Sequence, residues 1–413
     1  MTGRHPRSFR VLATAVVLAA ACVAGCSSEP ESSRIAFPGA PGSAQPRLKS
    51  DLDGSVLLSW LEPDGNQRVL KFARVDAGGV AASREVVRSE RMFVNWADFP
   101  SVTPITDAFW FAHWLRRRPD SGAYDVATRI STDGGISWAD AEQMNEDEAE
   151  AEHGFVEVFP WRGNVAAFWL DGREFANWSF DDPDALLGTS LRLARYDATG
   201  AAAAREIVDD MVCDCCAPDV AFTAAGPVVA YRDRTENEIR DIVVRRFEDG
   251  RWSESVGVGN EGWFIEGCPV NGPAIAAHGD EVVVVWFTAA DGRGRVRFAR
   301  SRDAGATFSA PIDVDADGAY GQPGVVLDND GRAVLSWWRR GAENGIDLMV
   351  RAYDRDGAVR AELAIGHEPV GQPVDVPQLI RSRDGYLAAW TTFDDNGDGV
   401  ANDLTVRLAA LDL

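Results

Sequence analysis

Four cysteines stand in two short stretches where their spacing invites sulfur chemistry. Cys213-Asp214-Cys215-Cys216 crowds three thiols together, and Cys268 stands in Gly267-Cys268-Pro269-Val270-Asn271-Gly272-Pro273. Thiols this dense can ligate a soft metal. Cys213, Cys215, Cys216 and Cys268 would then act as thiolates for copper or zinc, with copper favoured outside the cytoplasm by the affinity order. His153 is an imidazole available to complete such a shell. The same residues can instead form structural disulfides, as cysteines do in oxidising compartments, and four thiols allow three pairings. Adjacent cysteines close only a strained ring, so at most one of the clustered thiols reaches Cys268 without strain. Both readings stand on the residues alone.

Arginines interleaved with carboxylates surround these stretches: Asp171-Gly172-Arg173-Glu174, Arg232-Asp233-Arg234 and Glu238-Ile239-Arg240-Asp241, with Arg116-Arg117-Arg118 and Arg339-Arg340 elsewhere. Guanidinium forks recognise carboxylate, sulfate or phosphate groups through paired hydrogen bonds. Asp171, Arg173, Arg232, Asp233, Arg234, Glu238 and Arg240 are therefore candidate contacts for a ligand or partner. The competing reading is a set of ion pairs that lock neighbouring elements. A third chemistry is calcium binding. Asp394-Asp395-Asn396-Gly397-Asp398-Gly399 matches the first half of a calcium loop, with Asp394, Asn396 and Asp398 as the oxygen donors. Thr405 stands where that loop needs its closing Glu, which excludes the helix-loop-helix form. Asp313-Val314-Asp315-Ala316-Asp317-Gly318 repeats the spacing less persuasively, on a strand and its exit.

The elements that must position these side chains repeat. Short β-rich segments end in an aromatic at Trp60, Trp114, Trp169, Tyr231, Trp286, Trp337 and Trp390, roughly fifty residues apart. Another short strand precedes each, most opening with Pro (Pro46, Pro100, Pro218, Pro273, Pro323, Pro377). A third strand follows, then a Gly/Asp turn and a fourth. Four antiparallel strands repeated at this period predict an all-β, seven-bladed propeller, with a six-bladed ring as the alternative. The seventh repeat stops after its third strand, and the spare segment Arg34-Ile35-Ala36-Phe37 is expected to supply the fourth and close the ring. In such a ring the loops entering a blade and those leaving its aromatic strand share one face. The cysteine loops of the fourth and fifth repeats would then meet despite their separation in sequence.

Arg4, Arg7 and Arg10 precede an apolar run from Val11 to Val23, the pattern of a secretory leader. Val23-Ala24-Gly25-Cys26 resembles the bacterial lipobox. That resemblance implies cleavage after residue 25, acylation of Cys26 and a membrane tether, with residues 26–33 as the tether and 34–413 as the propeller. Ser27 resembles the sorting pattern for the outer membrane, giving an expected place on its periplasmic face. The full 413-residue chain is 46% hydrophobic and 25% charged, with a net charge of −23, which excludes nucleic acid as a partner for want of a basic stripe. An anionic small molecule, a glycan or an envelope protein remain the expected partners.

Ser131-Thr132-Asp133-Gly134-Gly135-Ile136-Ser137-Trp138 and Ser301-Arg302-Asp303-Ala304-Gly305-Ala306-Thr307-Phe308 resemble the Asp-box of the sialidase/neuraminidase superfamily. With Trp169-Leu170-Asp171-Gly172-Arg173, Tyr231-Arg232-Asp233-Arg234 and the two cysteine stretches, the chain looks like a group of uncharacterised bacterial exo-α-sialidase-like lipoproteins. The resemblance implies a propeller across almost the whole mature chain, and by fold an exo-glycosidase acting on terminal acidic sugars. Sialidases use three arginines, a Tyr/Glu pair and an acidic Asp. That catalytic set cannot be assembled here: the family's Arg-Ile-Pro survives only as Arg34-Ile35-Ala36, and Tyr231 and Tyr320 are the tyrosines expected near the face. The reading these residues favour is a lipid-anchored binding protein with a cysteine site. The glycosidase and an envelope scaffold held by disulfides are the alternatives.

Overall fold

The structure is a computed structural model that describes residues 1–3, 30–176, 188–341, 344–369, 373–393 and 404–413. Cys26, the leader before it and the calcium-loop residues Asp394, Asn396 and Asp398 lie outside the described residues.

The second strand of each repeat is a nearly unbroken apolar run, such as Glu281–Thr288 (EVVVVWFT), rather than an alternating one. That composition suits a strand covered on both faces, and the chain provides both covers. It forms seven antiparallel four-stranded sheets, six of them built from strands in sequence order, two of these with a split outer strand, and the last completed by an N-terminal strand. They are arranged as a seven-bladed β-propeller, which excludes the six-bladed alternative.

All seven recurring aromatics, from Trp60 to Trp390, are buried. Each packs toward the blade before it. Trp169 joins Phe111 and Val126 of the second blade, and Trp286 joins Val228 and Val244 of the fourth. Trp60 of the first blade meets Leu387 and Leu408 of the last. The core is therefore not one centre but seven apolar seams between blades, and the high tryptophan count fills them.

Ring closure follows the expected pairing, with a shifted boundary. The closing strand is Glu31–Ile35, antiparallel to Leu404–Asp412, with Ile35 opposite Leu408. It therefore begins three residues inside the stretch expected to be tether, and leaves Ala36 and Phe37 beyond its end. Phe37 instead stacks edge-on against Trp60 at 5.3 Å.

The two Asp-box turns are built alike. Ser131 Oγ donates to Asp133 at 2.7 Å, and Ser137 donates through its amide (2.9 Å) and hydroxyl (2.6 Å). Ser301, Asp303 and Thr307 repeat this at 2.7, 2.9 and 2.6 Å. These donors hold both carboxyls down to about 2. The innermost strands line an axial cavity of about 550 Å³, where Glu157 of the third blade pairs with both Arg47 and Lys49 of the first.

Candidate functional site

The loop from Val212 to Asp219 leaves the outer strand of the third blade and enters the fourth. The Cys213 amide donates to the Arg232 carbonyl at 3.0 Å, which sets the loop against the end of the aromatic strand. The loop carrying Cys268 lies beside it because Gly272 allows a very close approach. A Cβ there would stand 2.2 Å from the Ala217 carbonyl oxygen. The expected convergence of distant cysteine stretches is therefore present.

Its chemistry is divided, which corrects the four-thiolate reading. Cys215 and Cys268 form a disulfide, so neither sulfur is a thiolate ligand in this state. Cys213 and Cys216 are free and fully buried, at 0% and 1% exposure. The Sγ atoms of Cys213, Cys215 and Cys216 lie within 4.8 Å of one another, and Cys213 Sγ is 4.0 Å from Cys215 Sγ.

Burial alone would push the Cys213 thiol up. The hydrogen bond from Cys216, the Arg232 charge, the Cys215 amide and Arg240 outweigh it and bring Cys213 down to about 7. Burial, reinforced by the hydrogen bond and charge of Cys213, pushes Cys216 well above the usual thiol range. Cys213 is thus the sulfur of the pair that ionises first, with Cys216 as the donor to it.

The arginines of this region are turned inward. Arg232, 1% exposed, donates to the carbonyls of Asn271 (3.0 and 2.9 Å), Arg240 (2.7 Å) and Phe287 (2.8 Å) and lies 4.8 Å over the Trp263 ring. Arg240 reaches Cys213 Sγ at 3.6 Å, Asp214 at 3.1 Å and Glu238 at 2.9 Å. Arg234 shares Glu238 (2.6 Å) and Asp214 (3.2 Å). Burial and the charge of Asp209 raise Asp233 to about 6. The expected convergence of guanidinium groups on an open anion pocket is therefore not what the fold builds: Arg232 has no surface to offer.

A second cluster occupies the third blade. Arg173 grips Asp171 through two nitrogens (2.8 and 2.6 Å) and reaches Asp147 at 3.0 Å and Glu146 at 2.9 Å. His153 belongs here and not with the cysteines. Its Nε2 lies 3.2 Å from Asp147 and 3.5 Å from Asp171, while Nδ1 faces the Tyr124 carbonyl at 3.1 Å. The carboxylates of Asp313 and Asp315 are also engaged, by Arg297 at 2.7 Å and the Trp337 indole at 3.0 Å.

Between the two clusters opens a cleft of about 320 Å³, lined by Tyr124, Glu152, Gly172, Phe175, Thr189 and Asp214. Thr189 donates to Asp214 at 3.0 Å and so ties the third blade to the cysteine loop. Tyr124 and Glu152 were not singled out from the sequence. Their pairing at 3.4 Å spans the second and third blades, and nothing short of the ring topology signals it.

Fold and site together define a seven-bladed propeller with a mixed thiol–disulfide cluster set in arginine, on the face where blades are entered. Neither a protein-family model nor a curated protein sequence matches this chain. Among solved structures it is similar to a protein of unknown function from Dyadobacter fermentans, at a TM-score of 0.51 and 15% identity, over 93% of this chain and 98% of that one. It is also similar to an endosialidase of phage phi92 (TM-score 0.48, 9% identity, 93% of this chain and 69% of that chain). A neuraminidase-like protein from A/bat/Guatemala/164/2009 matches at a TM-score of 0.45 and 10% identity, over 78% of this chain and 90% of that chain. At these identities the likeness concerns the fold alone.

Proposed function

We propose that this is an envelope binding protein, anchored through Cys26 on the periplasmic face of the outer membrane, in which Cys213 and Cys216 hold one Cu(I) ion. The observation that carries the reading is a pair of buried, unoxidised thiols beside Arg240, itself 3.6 Å from Cys213. Soft thiolates select Cu(I) or zinc. Structural zinc requires four protein ligands, whereas this cluster offers two free thiols, with Cys215 and Cys268 joined and His153 set apart from them beside Asp147 and Asp171. A monovalent ion between two thiolates leaves a net negative charge, which nearby guanidinium groups stabilise; a dication leaves a neutral site that gains nothing from them.

Anaerobic titration against a Cu(I)-selective chelator tests the proposal. A single copper per chain is expected, lost in Cys213→Ser and in Cys216→Ser, with zinc not retained. Absence of copper from protein whose two thiols are demonstrably free would overturn it. Four oxidised sulfurs and no metal would leave the scaffold reading in its place.

One observation favours a second reading: the Tyr124–Glu152 pair lines a cleft of about 320 Å³. The exo-glycosidase this suggests would need arginines free to take a carboxylate. Arg173 and the adjacent Arg118 are bound to Asp171 and Asp125 at 2.6 Å each. No turnover of a fluorogenic sialoside is expected, and measurable turnover lost in Tyr124→Phe would restore the glycosidase.

A further inference from the structure

The cysteine cluster holds a nucleophilic pair and its disulfide target within one loop. Cys213 and Cys216 are buried thiols, and Cys215, whose Sγ lies 4.0 Å from that of Cys213, is already bonded to Cys268. Cys268 is the exposed member of the four. Arg240 stands 3.6 Å from Cys213 Sγ and helps to fix its place beside the bridge. A purely structural bridge has no use for a second, reduced pair packed against it.

We propose that the four cysteines form a two-electron relay, in which the buried Cys213–Cys216 dithiol exchanges with the outer Cys215–Cys268 disulfide. The inference goes beyond copper binding and does not depend on it. In the first step Cys213 Sγ attacks Cys215 Sγ. A Cys213–Cys215 bond forms, the Cys215–Cys268 bond breaks, and Cys268 leaves as a thiolate that takes up the proton Cys213 gave to solvent. In the second step Cys216 attacks Cys213, forming Cys213–Cys216 and releasing Cys215 as a thiol. One disulfide is broken and one made, two protons move, and the inner pair is oxidised as the outer pair is reduced. No external oxidant or reductant enters. The outcome places reducing equivalents on Cys268, where an external disulfide can reach them, and removes the two thiols that a metal would need.

The direction of attack follows from access. Cys216 lies next to Cys215 in sequence, where a direct bond closes a strained ring, so its productive target is Cys213 after the first step. Buried at 0% and 1% exposure, Cys213 and Cys216 are shielded from outside reagents, so electrons pass outward through Cys215.

The test uses the full-length, metal-free protein without added reductant. It is exposed to a bulky maleimide under native conditions, quenched in acid, and mapped for labels and disulfides by mass spectrometry. The relay requires slow labelling of Cys268 in the native protein, with the Cys213–Cys216 bridge appearing in the same molecules. In Cys213→Ser that labelling falls by about tenfold or more, because nothing opens the outer bridge. In Cys216→Ser the exchange stalls after its first step, and the Cys213–Cys215 bridge accumulates with Cys268 labelled. The Cys216 variant keeps the attacking sulfur, so a folding defect in the Cys213 variant does not decide the result. Cys268 left unlabelled in both the native protein and Cys216→Ser, with Cys213 and Cys216 labelled only on unfolding, would overturn the relay. Copper affinity is measured separately on the same preparations, so failure of one proposal is visible without failure of the other.

Discussion

Arg232 and Arg240 show how differently two buried arginines can serve one loop. Arg232 spends its donors on four hydrogen bonds to backbone carbonyls, which fasten the Asn271 stretch to the fourth and fifth blades. Replacing it with Lys loses the planar fork and leaves carbonyls unpaired in a dry site, so Arg232→Lys is expected to cost about 2–4 kcal/mol in urea unfolding. Arg240 instead faces sulfur. Arg240→Met should raise the Cys213 titration from about 7 toward the ordinary thiol value of 9.0, read as thiolate absorbance against pH. An unchanged midpoint would show that Cys216, Arg232 and the Cys215 amide hold Cys213 down without Arg240.

At the scale of elements, the meeting of two loops depends on one missing side chain. Gly272→Ala would drive a methyl group to within 2.2 Å of the Ala217 carbonyl oxygen, which is backbone and cannot turn aside. The two cysteine loops must then separate. The expected result is a free Cys268 thiol in a large fraction of non-reduced protein, counted by thiol titration, while the fold persists by circular dichroism. The closing strand is the other decisive element. Deleting Glu31–Ile35 would uncover the edge of Leu404–Asp412 and the apolar seam around Ile35, Leu408 and Trp60. Loss of cooperative unfolding and growth of aggregates by light scattering are expected, because an unpaired edge recruits other strands. Only one of these two devices was visible beforehand. The spare strand was legible from a count of strands, but Gly272 was not, since nothing near it in sequence says which backbone it will touch.

The whole ring carries a distinctive pH response. Burial raises the carboxyls of Asp98 and Asp375 to about 7 and that of Asp219 to about 6, from an ordinary value of 3.8. Above pH 4 the unfolded chain gives up protons that the folded ring retains. The stability these groups lend is complete below that point and lost as pH rises through 6 to about 7. Asp133 and Asp303 work the other way. Held down to about 2, they contribute above pH 4 and lose that contribution as pH falls toward 2. The net charge of −23 adds repulsion on the alkaline side. The urea midpoint is therefore expected to be higher at about pH 5 than at about pH 8, with Asp98→Asn flattening the difference. Across the axial cavity, Glu157 ties the first blade to the third, and Lys49 also donates to the Val158 carbonyl at 3.3 Å. Glu157→Gln strands Arg47 and Lys49 and should cost about 3 kcal/mol, at the low end for a buried pair because both cations keep some solvent.

Periodicity determined much of this protein before any contact was known. Trp60, Trp114, Trp169, Tyr231, Trp286, Trp337 and Trp390 recur at blade spacing because every blade needs a large apolar side chain for the same seam, and a local requirement repeated seven times is readable along the chain. The Asp-box turns were legible for the same reason, since their hydrogen bonds close within a few residues. Residue types also marked the cysteine loops as chemically active and the ring as the means of joining them. Which sulfurs pair, which arginines face outward and where His153 points were decided only by tertiary structure. The first two depend on a partner contributed by a different blade: Cys268 for Cys215 and the Asn271 carbonyl for Arg232. A side chain's environment at such a junction is set by the angle and distance between sheets, and no stretch of sequence encodes that locally.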